Sequence, residues 1–354
     1  MENKELIEVA SRFDLKGNVE SVNTLGEGFI NDTFIVTMSD IPAKYILQKK
    51  NKNIFKDVPG MMDNIVAVTE HLKRKIVAYG GNPLRETLTQ IPLLNAPSMY
   101  YTLYKDEYWC MTLFIEESVT YQRADTLVLA EQGGRGIAKF QSLLSDFKTP
   151  LVDTLPGFHN IKFRFEQWDA SLSKDVVGRA DSVRELIAEI EVRRKQMLDF
   201  YELIERGEIP KRVTHNDTKI SNILFDKSQN VLCVIDLDTV LSAPCLYDFG
   251  DSIRSYANTG LEDDPNLENV SMSRDIYEAY LKGYLSEAES FLTDIEKKYL
   301  PFSAKYITYE QFLRFLMDFL DGDTYYKIKY PEHNLVRAKA QLRLLQSIEQ
   351  QLAL

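Results

Sequence analysis

The chain has 354 residues, 44% of them apolar and 27% charged, enough for two packed cores and too much for one small domain. Its formal charge of −11, from 42 basic and 53 acidic residues, comes with no basic stripe and argues against a nucleic-acid partner. No run of about eighteen apolar residues occurs, so no membrane-spanning helix is expected.

From its start the chain reads as cytoplasmic, because Met1 to Glu5 is charged and resembles neither a secretory nor a transit segment. Val19 to Leu25 and Asp32 to Met38 are β-rich runs on either side of Gly26-Glu27-Gly28, a hairpin-like arrangement. Lys44 to Leu47 continues as a third strand, and Ile65, Val68, Leu72 and Ile76 recur at helical spacing within Asn64 to Ile76. Met99 to Tyr104 and Tyr108 to Ile115 flank the turn Lys105-Asp106-Glu107. Five strands and one helix are therefore expected before Glu116. Beyond it the period becomes helical. Phe140, Leu143, Leu144 and Phe147 share a face, although Gly133, Gly134 and Gly136 would each cost about 1 kcal/mol in a helix and obscure its start. Ser182 to Arg206 carries a stripe of Ile187, Ile190, Met197, Tyr201 and Ile204, with Ser182 placed to cap and Gly207 to terminate it. Asn334 to Leu352 repeats Leu335, Leu342, Leu345, Ile348 and Leu352. The expected fold is α+β and two-lobed: a β-rich lobe over residues 1–116 and a helical lobe over 117–354. Cys110, Cys233 and Cys245 lack CxxC spacing, so buried thiols are expected rather than a disulfide or zinc site.

The chemistry concentrates in Val213 to Phe225 and Val231 to Asp238, where polar residues are wedged between apolar β runs. The pattern is His215-x-Asp217, then Asn222, then Asp236. Phosphoryl transfer needs one carboxylate to orient and deprotonate the attacking hydroxyl, and separate oxygen donors for Mg²⁺ on the ATP phosphates. Asp217 suits the first task, and Asn222 with Asp236 the second. The plainer reading is a polar turn between strands, with Asp and Asn present as turn formers.

These residues resemble the aminoglycoside phosphotransferase family, which has a protein-kinase-like fold, and Tyr247-Asp248-Phe249-Gly250-Asp251 matches it too. Within that family the chain resembles the bacterial N-acetylhexosamine 1-kinases over nearly its whole length. The matches include Tyr45-Ile46-Leu47-Gln48, Arg212 to Lys219, Ile235 to Thr239, Asp248 to Arg254 and Lys329 to Arg337. The resemblance implies ATP as co-substrate, Asp217 as base toward a sugar's anomeric hydroxyl, and Mg²⁺ held by Asn222 and Asp236. It also implies His215 and Asp248 as structural braces. Gly26 and Gly28 would cover the nucleotide, and Phe114, Ile115 and Glu116 would form the adenine-binding hinge. Phe29 and Asn31 fall on the acceptor side, with Phe29 where the relatives carry a histidine. Arg314 and Tyr325 carry over as hexose contacts, the alternative for Arg314 being a structural ion pair. Lys219 is left between a γ-phosphate contact and a solvated charge.

Kinases of this kind usually place a lysine on the third strand, where Gln48 now stands, as it does in the hexosamine kinases. How the phosphates are neutralised is open: Lys49 and Lys50 follow Gln48 and stand between helping in that task and being solvated, as lysines at a strand end more often are. The expected partners are ATP and a small sugar, with no nucleic acid and no membrane; the oligomeric state is open, with a monomer as the working expectation. The competing readings are kinases of choline, homoserine, an aminoglycoside or another sugar, the acidic Asp318, Asp321 and Asp323 keeping cationic acceptors in play, or a nucleotide-binding module without turnover.

Overall fold

The computed structural model describes residues 3–26 and 30–354. The chain divides into two compact units, one of Met1–Val119, Leu143–Pro156 and Leu224–Leu241, the other of Thr120–Ser142, Gly157–Ile223 and Ser242–Leu354.

The first unit is built on a five-stranded antiparallel sheet. It comprises β1 (Val19–Thr24), β2 (Asp32–Met38), β3 (Lys44–Lys50), β4 (Tyr101–Tyr104) and β5 (Glu107–Leu113), in the order β1-β2-β3-β5-β4. Strand alternation sets its faces. Val36 and Met38 of β2, Tyr45 and Leu47 of β3, and Trp109 and Met111 of β5 form one core with Leu6, Val9 and Ala10 of helix α1 (Asn3–Ala10). Gln48 and Lys50 therefore belong to the other face of the sheet.

Among the described residues ahead of Glu116 stand the five strands expected, but three helices accompany them rather than one: α1, α2 (Val58–Ala78) and the single turn α3 (Pro83–Glu86). α2 begins well before its apolar stripe. Asp57 accepts the Gly60 N–H at 2.9 Å as an N-cap, and Pro59 suits the first turn, where its missing donor costs nothing. The unit also contains a pair formed by β7 (Ile223–Phe225) and β8 (Val231–Val234).

The second unit is mostly helical. Its elements are α4 (Leu127–Leu143), α5 (Ile161–Lys174), α6 (Arg184–Glu205), β6 (Arg212–Thr214), β9 (Leu241–Ala243), α7 (Cys245–Tyr256), α8 (Arg274–Ala288), α9 (Asp294–Leu320) and α10 (His333–Leu352). The glycines of α4 have a packing reason. A Cβ at Gly134 would lie 2.2 Å from the Tyr280 carbonyl oxygen on α8, and one at Gly283 would lie 1.9 Å from that of Glu131 on α4. The two backbones touch where only glycine fits, which offsets the lost helix propensity.

Ser182 does not cap α6. A 3-10 turn, Ala180–Val183, precedes that helix, and the Ser182 Oγ donates to the Arg179 carbonyl at 2.7 Å instead. Gly207, at φ +73°, follows the C-cap Arg206 as expected. The three cysteines are buried and unpaired with one another. Among the described residues no helix is long and apolar enough to cross a membrane.

Candidate active site

The loop between β6 and the 3-10 turn Ile220–Asn222 lies in the second unit and is held from below by α7. Spacing on that helix does the holding: Asp248, Asp251 and Ser252 fall at i, i+3 and i+4, on one face. The Asp248 carboxylate accepts the backbone N–H of His215 at 3.0 Å and of Asn216 at 2.7 Å, and its own carbonyl accepts the Thr218 hydroxyl at 2.7 Å. Asp251 accepts the Thr218 N–H at 2.9 Å, and the Ser252 hydroxyl donates to the Thr218 carbonyl at 3.4 Å. Burial opposes the Asp251 charge, but Arg254, at 2.8 Å, keeps its carboxyl below the usual range.

This bracing places Asn216 at φ +65°, a left-handed conformation that asparagine tolerates better than most residues. The next residue is Asp217. Its Oδ2 accepts from Lys219 Nζ at 2.9 Å and from Asn222 Nδ2 at 3.0 Å, while Asn222 Nδ2 also donates to the Asp217 carbonyl at 2.9 Å. No protein donor among the described residues reaches the Asp217 Oδ1, and the side chain keeps 26% of its surface exposed. The Asp217 N–H donates to Nδ1 of the buried His215 at 3.2 Å, so that nitrogen acts as an acceptor and carries no proton. Lys219 is thus neither free in solvent nor independent of the loop; it is ion-paired with Asp217.

Asp236 lies in the first unit, between β8 and the 3-10 turn Leu237–Thr239, at φ +61°. Two residues on, Asp238 is buried, and Lys50 Nζ contacts its two oxygens at 2.7 and 2.9 Å. Lys50 also donates to Gln48 Oε1 at 2.8 Å, and Asn31 Nδ2 donates to Asp238 Oδ2 at 2.7 Å. Against the expectation for a strand end, Lys50 is not solvated: only 2% of its side chain is exposed. Lys49 instead pairs with Asp32 at 2.6 Å nearer the surface. Burial disfavours the Lys50 charge, but Asp238 more than compensates and raises its pKa above the ordinary lysine value. Asn31, expected toward the acceptor, is buried here, with its Oδ1 accepting the Asn51 N–H at 3.0 Å.

Of the glycine turn, Gly26 has φ +66°, whereas Gly28 and Phe29 lie outside the described residues. At the expected hinge, the Phe114 N–H donates to the Lys44 carbonyl at 3.0 Å, and the Ile115 carbonyl accepts from Ser118 Oγ at 2.7 Å. The Glu116 carbonyl accepts from Arg85 at 2.9 Å. In the second unit, Arg314 of α9 lies 5.8 Å from the ring centroid of Tyr325 and 5.5 Å from that of Tyr326, with Gln311 Oε1 at 3.5 Å. Its surroundings are aromatic, and Tyr325 is 65% exposed.

The loop carrying those tyrosines is organised by residues that sequence reasoning passed over or read as free acids. Asp318 accepts the backbone N–H groups of Thr324, Tyr325 and Tyr326 at 2.8 to 2.9 Å and a side-chain bond from Asn334 at 2.8 Å. Asp321 accepts from Ser171 at 2.9 Å, and Asp323 from Arg179 at 2.7 Å and Asn334 at 2.9 Å. Asp251, Ser252 and Gln141, which donates to Asp248 at 2.8 Å, were also missed as braces. The i, i+3, i+4 spacing on α7 was the available signal for the first two; nothing local marks Gln141.

Among the described residues no three His, Cys, Asp or Glu side chains gather as a metal site. Mg²⁺ commonly takes only one or two protein donors together with substrate phosphates and water. Asn222 commits its Nδ2 to Asp217, so its amide oxygen is the polar end left over, and Asp236 carries a carboxylate; both are oxygen donors of the kind that Mg²⁺ takes.

A family model described as "Phosphotransferase enzyme family" matches residues 21–289, well over half of the chain. Among solved structures, a spectinomycin phosphotransferase in complex with ADP and spectinomycin aligns with a TM-score of 0.62 at 13% identity, over 98% of this chain and 97% of that one. A choline kinase from Cryptosporidium parvum Iowa II aligns with a TM-score of 0.59 at 15% identity, over 99% and 97%. A choline kinase from Streptococcus pneumoniae gives 0.53 at 15%, over 93% and 94%. The likeness to these structures is one of fold: an antiparallel β-sheet unit and a helical unit in a protein-kinase-like chain.

Proposed function

The chain belongs to the phosphotransferase enzyme family, and from that premise we propose that it transfers the γ-phosphoryl group of ATP to the anomeric hydroxyl of an N-acetylhexosamine, GlcNAc or GalNAc. The products are the sugar 1-phosphate and ADP. The observation that carries the reading is the asymmetry of Asp217: Oδ2 is held by Lys219 and Asn222, and Oδ1 has no protein donor among the described residues. A carboxylate fixed at one oxygen presents the other in a set direction, which is what a base needs to orient an incoming hydroxyl.

In the proposed step the sugar O1 attacks the γ-phosphorus, the bond to the β,γ-bridging oxygen breaks, and the O1 proton passes to Asp217. Bound Mg²⁺, assigned to Asn222 and Asp236, would neutralise charge on the triphosphate. Asp248 and His215 keep the base loop in place, and Lys219 holds the Asp217 carboxylate against rotation. Gly26, Gly28 and the Phe114–Glu116 segment are assigned to the nucleotide, and Phe29 to the acceptor.

The acceptor side supports a neutral sugar over a cation. Choline or an aminoglycoside calls for free carboxylates or an aromatic cage, and a nearby arginine opposes either. Asp318, Asp321 and Asp323 are all committed to backbone or side-chain donors. Arg314 instead offers a positive fork beside exposed Tyr325, suited to hydroxyl and amide oxygens. The test is purified protein with Mg-ATP and a panel of N-acetylhexosamines, plain hexoses, choline, homoserine and aminoglycosides, followed by ADP release and product mass. A 1-phosphate formed from GlcNAc or GalNAc is expected. Turnover confined to choline, homoserine or an aminoglycoside would overturn the sugar assignment, and turnover with none would overturn the enzyme reading.

A further inference from the structure

Lys50 sits one turn of the β alternation beyond Gln48, on the sheet face away from the α1 core, and it is saturated. An ammonium has three donors. Here they meet Gln48 Oε1 at 2.8 Å and the Asp238 oxygens at 2.7 and 2.9 Å, with 2% of the lysine side chain and 5% of the aspartate side chain exposed. A lysine that serves phosphate needs a spare donor and access to the ligand, and Lys50 has neither. Turning it toward a phosphate would also leave the buried Asp238 carboxylate without its counterion.

The pair acts on what lies next to Asp238. Asp236 adopts φ +61°, in the left-handed region that few non-glycine residues enter, aspartate and asparagine more readily than most. The segment after it is tied down by the 3-10 turn Leu237–Thr239, by buried Leu237, and by Asp238, which Lys50 and Asn31 grip together. Lys50 ends β3 and Asn31 immediately precedes β2, so the grip comes from the sheet and from the residue that leads into it.

We infer that Lys50 is a positioning residue: through Asp238 it fixes the turn that carries the metal-binding carboxylate Asp236, and it is not a ligand of the nucleotide phosphates. The inference rests on the metal role proposed above for Asp236.

The test uses ADP binding by the full chain, so it does not depend on knowing the acceptor. ADP affinity is measured by calorimetry in EDTA and again across a Mg²⁺ titration, for wild type, Lys50→Met, and Lys50→Met combined with Asp238→Leu. The double variant removes both buried charges, and its fold is checked by thermal melting, so it carries the test if the single variant does not fold. The expected result is metal-free ADP affinity within about twofold of wild type, with the Mg²⁺ concentration for half-maximal response raised about tenfold or more in the folded double variant. Loss of metal-free ADP affinity by more than about tenfold in a folded variant would make Lys50 a phosphate ligand and overturn the inference. An unchanged Mg²⁺ response in the double variant would reduce the pair to packing and overturn it equally. Wild-type protein that binds ADP without any response to Mg²⁺ would overturn the metal role of Asp236 itself, a failure seen before any substitution is made.

Discussion

The carboxylate of Asp248 accepts the backbone N–H of Asn216 at 2.7 Å, which fixes a left-handed residue immediately before Asp217. The same carboxylate takes the His215 N–H at 3.0 Å and the Gln141 amide at 2.8 Å. Asp248→Asn puts an NH₂ group where one of these donors points, so at least one buried N–H loses its acceptor. Hydrogen bonds to a charged group contribute about 1.5–3 kcal/mol each, so a loss of about 2–4 kcal/mol of stability is expected. Because the damage is to the loop that aims Asp217, kcat should fall more than the KM for ATP rises. Urea unfolding and initial-rate kinetics measure the two effects, and a stable variant with full kcat would remove Asp248 as a brace.

Asp217→Asn keeps the size of the side chain and can retain the Lys219 and Asn222 contacts through its oxygen, while losing the proton acceptor. General-base removal commonly costs about 10²–10⁴ in rate. The expected outcome is a kcat reduced by that order with ATP affinity nearly unchanged. A rate within about tenfold of wild type would refute the assignment of the base.

Arg314 has Tyr325, Tyr326 and Phe158 around it, with ring centroids at 5.8, 5.5 and 6.0 Å, and feels the charge of buried Glu310. If it donates to the sugar, Arg314→Ala should raise the acceptor KM about 10- to 100-fold and leave the KM for ATP alone. A fall in melting temperature with an unchanged acceptor KM would make it a packing residue only.

What could be read in the sequence divides along physical lines. Strands β2, β3 and β5 and the stripes of α6 and α10 were legible because one face of each is apolar, and the loop carrying Asp217 was legible because polar residues interrupt two apolar runs. α9 was not read as one long helix. It buries residues all round, from Leu300 through Tyr306 and Tyr309 to Phe319, so it has no stripe, and Pro301 within it reads as a break. The burial of Lys50 was not legible because its counterion, Asp238, is far along the chain and only the fold brings the two together. The acids near Arg314 looked available for a cation because Asp318 is held largely by backbone N–H groups, which no side-chain pattern reveals, and because Asp321 and Asp323 are held by Ser171 and Arg179, which lie far away in sequence.

A last prediction concerns acid stability. Glu310 is buried, which by itself would raise its pKa, yet His159 at 2.7 Å, Arg164 at 3.3 Å and the charge of Arg314 hold it down to about 2. An ordinary glutamate titrates near 4.3, so between those values the unfolded chain binds a proton that the native protein does not. The stabilisation is therefore complete above about pH 5 and drains away as the pH falls toward 2. From pH 5 to pH 3 this group alone should cost wild type about 1.5 kcal/mol. Glu310→Gln loses the buried charge partner of Arg164 and should be less stable at neutral pH by about 3–5 kcal/mol. Its deficit relative to wild type should shrink by about 1.5 kcal/mol between pH 5 and pH 3, because the variant has no carboxyl to protonate there. Urea midpoints of both proteins across that range measure the gap, and a deficit that stays constant would show that Glu310 is not held ionised below its ordinary range.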